Sequence, residues 1–246
     1  MQKVILTVLI LMSIGLMAEE TIDLHFVVDP QLTIQDSLFT AQLVTRMQND
    51  SIPSFRFVCG DIAKTPVSDS LVLAHIAALD ADYASPTDYF FTRLPQDAAF
   101  DLLMSNVDAD SVQIIDRAII TGDSLRIGVF ALLTPDLEVL NTLDPRVDVR
   151  ADVFATAARL AIALDASCNY VIMLSSMGKF IDADIVRGLP IDRVISFDYQ
   201  GTSDATFNDG ATKFNSVLLS KGLLGRLRLH WENGVLSDEW KYTRVK

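Results

Sequence analysis

Apolar runs that stop abruptly at a polar residue recur along the chain, separated by stretches of helical period. Residues 55–61, Phe-Arg-Phe-Val-Cys-Gly-Asp, set the pattern: a buried strand delivering the Asp61 carboxylate to the carboxyl edge of a sheet. Segments 22–29, 82–88, 170–176 and 191–198 end in the same way. In open α/β sheets, that edge is where ligands bind. Asp36-Ser37 caps a predicted helix reaching Met47, with Phe39, Leu43 and Met47 as its apolar stripe. Further helices are predicted over 68–79, 95–104, 151–164 and 182–187. Residues 112–121 and 124–133 read as strands joined at Gly122-Asp123, a hairpin signal. Predicted strands over 213–219, 223–231 and 235–242 close the chain as antiparallel meanders, the last pair turning at Asn233-Gly234. Units of strand and helix followed by meanders predict an α/β protein, a four-layer αββα sandwich of two mixed sheets. No Pro/Gly-rich linker interrupts residues 19–246, so one domain is expected there.

The first residues change the picture of where the protein works. Met1-Gln2-Lys3 is a short basic start, and residues 4–18 are apolar apart from Thr7, Ser13 and Gly15. The run is shorter than the ~20 residues that span a bilayer. Glu19-Glu20 follows at once, so residues 1–18 fit a secretory signal peptide cut after Ala18. Export to the periplasm or the extracellular space is expected, with no transmembrane span after cleavage. An uncleaved amino-terminal anchor is the alternative, because Leu16 stands where a small residue is usual.

Charge narrows the partners. Lys plus Arg number 20 against 32 Asp plus Glu, a net charge of −12. An acidic surface repels phosphate backbones and anionic lipid, so no nucleic-acid partner is expected. Cys59 falls near the end of one predicted strand and Cys168 at the start of another. If those strands are parallel, the sulfurs lie at opposite edges, beyond the ~7 Å limit for a disulfide, and two buried free thiols are expected.

Four segments, in order, resemble the calcineurin-like metallophosphoesterases, and within them the amino-terminal domain of secreted 5′-nucleotidases. Residues 125–135, LRIGVFALLTP, resemble that family's "kIGviGltTP" strand, and 104–107, MSNV, its "saNv". Residues 191–195, IDRVI, resemble the "iDliigGHsH" approach, and 222–229, GLLGRLRL, the closing "G..lGrldl" strand. The family holds two metals on D-x-H, G-D, G-N-H-E, a lone His after a strand, and G-H-x-H. Two ions polarise a phosphate and lower the pKa of an attacking water, and imidazoles suit Zn, Mn or Fe. Carried over, Asp29 matches the first Asp, with Gln31 in the place of the motif His. Gly60-Asp61 is intact. Asp88 replaces the bridging Asn and Tyr89 the His that helps protonate the leaving group. Ser176 takes the lone His position, and Asp198 and Gln200 the two of G-H-x-H. The resemblance thus implies a site stripped of its ligand histidines. It reaches 242 without the second, base-clamping domain, so no nucleotide preference is implied.

The three histidines present, His25 in a strand, His75 in a helix and His230 in the last meander, do not rebuild the set. They are expected to be satisfied or exposed structural residues. Asp29, Asp61, Asp88 and Asp198 with Gln31, Ser176 and Gln200 would form an all-oxygen cluster whose carboxylates repel unless a cation sits among them. That cation is Lys64 or Lys179, leaving an ion-pair network, or a hard divalent ion, Mg²⁺ or Ca²⁺. Alternatively the Asp residues are loop and cap residues that do not converge. Tyr89 is the only candidate catalytic group, a general acid if it reaches a substrate. No G-x-S-x-G elbow, G-x-x-x-x-G-K loop or C-x-x-C pair points elsewhere. The expected function is a non-catalytic binding or structural module, without cofactor, on a 5′-nucleotidase-like frame that has lost its dinuclear site. The alternative is a divergent phosphoester hydrolase using Mg²⁺ or Ca²⁺ on the four Asp residues.

Overall fold

Alternation along the first strand, β1 (Glu20–Val28), sorts its side chains onto two faces. Ile22, Leu24, Phe26 and Val28 enter one apolar core, whereas Val27 enters another and Asp23 and His25 share its face. This computed structural model describes residues 19–30, 37–48, 51–61, 74, 76–87, 100–110, 113–135, 147–197, 205–217 and 223–245. After β1 come α1 (Ser37–Met47), β2 (Ser54–Gly60), β3 (Tyr83–Pro86), β4 (Asp101–Leu103), β5 (Val107–Ala109), β6 (Ile114–Ile115), β7 (Ala118–Thr121), β8 (Arg126–Leu132) and β9 (Val147–Val149). Then follow α2 (Val153–Asp165), β10 (Tyr170–Ser175), α3 (Lys179–Val186), β11 (Arg193–Phe197), β12 (Ala205–Asp209), β13 (Thr212–Val217), β14 (Leu223–Glu232) and β15 (Val235–Arg244).

Among the described residues, the first sheet has the order β15-β14-β1-β2-β3-β4-β6 and the second β12-β13-β11-β10-β8-β7. The run β1-β2-β3-β4-β6 is parallel, with β14 and β15 added antiparallel. Strands β8, β10, β11 and β13 are parallel, with β7 and β12 antiparallel at the edges. Between the sheets lies a core built on Phe26, Phe57, Ile127, Ile172, Ile195 and Leu229. Helix α1 covers the outer face of the first sheet through Leu43 and Met47. Helices α2 and α3 cover the second through Leu160, Leu164 and Ile185. The result is the αββα sandwich expected.

Several elements depart from the pattern read along the chain. Residues 101–103 are a strand, β4, and not the end of a helix, because they pair in parallel with β3. The run 112–121 is two strands. Its first part, β6, joins the first sheet and β7 joins the second, so the chain changes sheets at Asp116-Arg117. Strand β13 pairs in parallel with β11 and antiparallel with the unexpected β12, so it stands outside the closing meander. Helix α3 begins at Lys179, a turn early. The hairpin turn Asn233-Gly234 is as expected, with φ 55° and 80°. Both cysteines are free, but only Cys59 is fully buried.

Two polar ties hold the sheets together. After β4 the chain crosses to the end of β8, where Ser105 and Asn106, both fully buried, substitute for a neighbouring strand. The Ser105 N–H donates to Ala131 O at 2.7 Å, and its Oγ accepts from Ala131 N at 2.9 Å. Asn106 Nδ2 donates to Leu133 O, and its Oδ1 accepts from Leu133 N, each at 2.8 Å. At the other edge, Asp238 of β15 reaches the starts of three strands of the second sheet. It accepts from Tyr170 Oη at 2.6 Å and pairs with Arg193 and Lys213. Arg193 donates to Asn215 and to Tyr170 Oη, and its guanidinium lies 6.0 Å from the Trp240 ring centre. Burial pushes the Asp238 carboxyl up, but hydrogen bonds from Lys213, Tyr170 and Arg193 prevail and hold it at about 2.

Asn106→Ala strands two buried backbone groups of Leu133, and urea denaturation is expected to show a loss of roughly 2–4 kcal/mol. A loss below ~0.5 kcal/mol would refute the tie. For Asp238, the folded value lies below the ordinary 3.8, so its contribution is complete above that value and fades as pH falls through about 2. Between pH 5 and 2 the native chain is expected to lose about 2 kcal/mol more than Asp238→Asn does, read from urea midpoints.

Candidate functional site

Parallel pairing brings the carboxyl ends of β1, β2 and β3 side by side, with Val28 opposite Cys59 and Gly60 opposite Pro86. Pairing continues one residue further, through Asp29 N to Cys59 O at 2.9 Å and Thr87 N to Gly60 O at 3.1 Å. There the backbone turns sharply. Asp29 has φ 45° and Gly60 φ 80°, both left-handed. For Asp such a conformation costs about 1–2 kcal/mol. It brings Asp29 Oδ1 to the Asp61 N–H at 2.7 Å. A Cβ at position 60 would run into the same Oδ1, so the site needs glycine there for space as well as for φ. Asp61 Oδ1 in turn accepts from Thr87 Oγ1. Burial, with the Asp29 charge adding, raises the thiol of neighbouring Cys59 far above its ordinary value.

Across the sandwich, β10 ends in Ser175-Ser176. Ser175 Oγ donates to Asp182 Oδ1 at 2.5 Å and accepts from Met177 N at 3.1 Å, pinning α3 to its strand. Ser176 is buried, and its Oγ accepts from Thr134 N at 2.9 Å while its own N–H donates to Leu132 O at 3.1 Å. This hydroxyl therefore knits the ends of β8 and β10. Lys179, at the start of α3, holds its ammonium 5.2 Å from the Phe180 ring centre.

Of the residues singled out in the sequence, Asp29 and Asp61 come into direct contact, and Ser176 sits at the end of β10. Gln31, Lys64, Asp88, Tyr89, Asp198, Gln200 and His75 lie outside the described residues. Among the described residues, no three His, Cys, Asp or Glu side chains gather as a metal site. Thr87 was not anticipated as the partner of Asp61; its place directly after an apolar strand was the available signal. His230 is satisfied through Thr21 Oγ1 at 3.0 Å. His25 breaks the expectation, for it is buried with neither ring nitrogen hydrogen-bonded. Its β1 position puts it on the outer face of the sheet, opposite Arg56 of β2 and Arg226 of β14.

This architecture is shared with solved hydrolases. NAD nucleotidase of Haemophilus influenzae superposes with a TM-score of 0.71 at 17% identity over 92% of this chain and 50% of its own. The 5′-nucleotidase precursor of Thermus thermophilus gives 0.71 at 15% over 92% of this chain and 54% of its own. The sulfate thiohydrolase SoxB of Thermus thermophilus gives 0.70 at 14%, over 91% and 56%. The chain thus has the metallophosphoesterase-like fold of 5′-nucleotidase amino-terminal domains, and spans about half the length of these three proteins. No family model matches the chain, and no curated protein matches it by sequence. No helix among the described residues is long and apolar enough to cross a membrane.

The thiols give a direct check on this corner. A thiol reagent applied to the native chain is expected to modify the half-buried Cys168 and spare Cys59, with a second equivalent appearing only on denaturation. Modification of Cys59 at a comparable rate would show that the strand ends open freely.

Proposed function

We propose that the chain is an exported, non-catalytic binding or structural module on a 5′-nucleotidase-like frame whose dinuclear metal site has been dismantled. The buried Ser176 hydroxyl carries this reading. At the position matched to a ligand imidazole, it instead bonds the backbone of Thr134. Asp29 holds a left-handed backbone, a strain that in a non-glycine residue clusters at functional sites, and this supports reading these strand ends as the place of the former site. The residues matched to the ligand motifs, Asp29, Gln31, Asp61, Asp88, Ser176, Asp198 and Gln200, offer oxygen alone. That set suits neither zinc nor iron. Lys64 and Lys179 are the cations proposed to balance the carboxylates, and residues 1–18 the segment proposed to direct export.

A second reading has one observation in its favour. The Asp29 carboxylate accepts from the Asp61 N–H, so both residues stand at neighbouring strand ends, and carboxylate oxygens fit a hard ion; a hydrolase using Mg²⁺ or Ca²⁺ on Asp29, Asp61, Asp88 and Asp198 is its form. Hydrolysis of an aryl phosphate across Mg²⁺, Ca²⁺, Mn²⁺ and Zn²⁺ separates the two. The proposal expects no turnover above the Asp61→Ala background. Turnover that needs one of these cations and vanishes in Asp61→Ala would establish the hydrolase.

A further inference from the structure

On the outer face of the first sheet, the register assembles a row of basic residues. His25 of β1 lies opposite Arg56 of β2 on one side and Arg226 of β14 on the other, and Arg226 lies opposite Lys241 of β15. Directly opposed residues share a face, and like charges so placed destabilise a sheet. Arg56 is drawn away by Asp80 at 2.6 Å. The other members stay together. His25, Arg226 and Lys241, with Leu224 and with Arg46 from the last turn of α1, line a cavity of about 290 Å³. Among the described residues, no acidic side chain lines it.

The balance of charge inside this cavity is distinctive. Glu239 is the neighbouring acid, 2.5 Å from Lys241 and 3.8 Å from Arg226. Asp23, the other nearby carboxylate, is held by Arg228 through two hydrogen bonds of 2.8 Å. Three cations against one carboxylate leave an excess of two positive charges, in a chain whose net charge is −12. His25 is 3% exposed, and both of its nitrogens lack a partner. A buried, unpaired polar ring is costly, and one that lines a basic cavity gains a partner when an acceptor arrives from outside. The volume holds roughly ten waters at about 30 Å³ each, ample for a small hydrated anion.

We propose that this cavity is a binding site for a dianionic oxyanion of phosphate type, held by Arg46, Arg226 and Lys241 with His25 donating from the floor. Guanidinium groups take such oxygens in paired, charge-assisted hydrogen bonds. The site is independent of the state of the strand ends and needs no metal. His25 also makes it pH-sensitive. Burial lowers its pKa below 6.5, with Arg226, Arg56 and Arg228 adding and Asp23 opposing. The groups facing it are Asp23 on its own strand, Arg56 from β2, Arg226 and Arg228 from β14, Lys241 and Glu239 from β15, and Arg46 from α1. A bound dianion favours the imidazolium, so binding of an anion that itself stays dianionic takes up a proton at His25 and strengthens as pH falls from 8 towards 6.

The test is calorimetric titration of the folded full chain with inorganic sulfate, a tetrahedral oxyanion that stays dianionic from pH 8 to 6, in excess chelator and at constant ionic strength. Saturable one-to-one binding is expected, weakened about tenfold by Arg46→Gln, which alters only an exposed helix residue. In His25→Gln the strengthening at low pH is expected to disappear. Absence of saturable binding, or binding that Arg46→Gln and His25→Gln leave unchanged in strength and pH dependence, would overturn the proposal. Because chelator is present throughout, neither result bears on catalysis at the strand ends.

Discussion

Two side chains at one crossing, Ser105 and Asn106, act as a strand where no strand can run. The chain leaves β4 in the first sheet and must pass the end of β8 in the second, and the backbone of Ala131 and Leu133 would otherwise be buried without partners. An unpaired buried amide costs about 1–3 kcal/mol. Ser105 and Asn106 meet that demand through four hydrogen bonds to Ala131 and Leu133. The end of β8 is thereby fixed against the end of β4. Ser176 then copies the device from the other side, tying β10 to the same loop through Thr134. The strand ends are held by hydrogen bonds within the chain, whatever binds or fails to bind there.

At the opposite edge the Asp238 cluster performs the matching task. Arg193 and Tyr170 start adjacent parallel strands, and Asp238 crosses the core from the other sheet to meet them. A buried charge set of this kind adds less to stability than its contacts suggest, since desolvation offsets the attraction. It does specify geometry, because losing one member leaves another charge buried. Between these edges the apolar contacts of Phe26, Phe57, Ile172 and Leu229 supply the bulk of the folding energy. The sandwich is thus apolar in the middle and pinned at both rims.

Much of this frame is legible in the sequence wherever pattern and local chemistry agree. The apolar run that ends in Gly60-Asp61 forms β2, with Asp61 just past its end, and Asn233-Gly234 turns the last hairpin as its residues demand. Failures fall where pairing overrides local preference. Asp101–Leu103 falls in a run read as helical from the sequence, 95–104, but has a parallel partner in space. Ala205–Asp209 has little apolar character and exists as a strand through its pairing with β13. At the site, the meeting of Asp29 and Asp61 follows from two strands ending in Asp. The basic row of Arg56, His25, Arg226 and Lys241 was illegible, because only the register of strands some 200 positions apart assembles it.

The sandwich is expected to stand without metal, its strand ends held by their own hydrogen bonds. Urea unfolding in phosphate-free buffer, with chelator and then with excess manganese or magnesium, tests it most directly. Coincident midpoints are expected in all three conditions. A ligand that binds only the native state at 100 times its Kd adds about 2.7 kcal/mol. An upward shift of that order with either ion would contradict the claim and return a working metal centre to the strand ends.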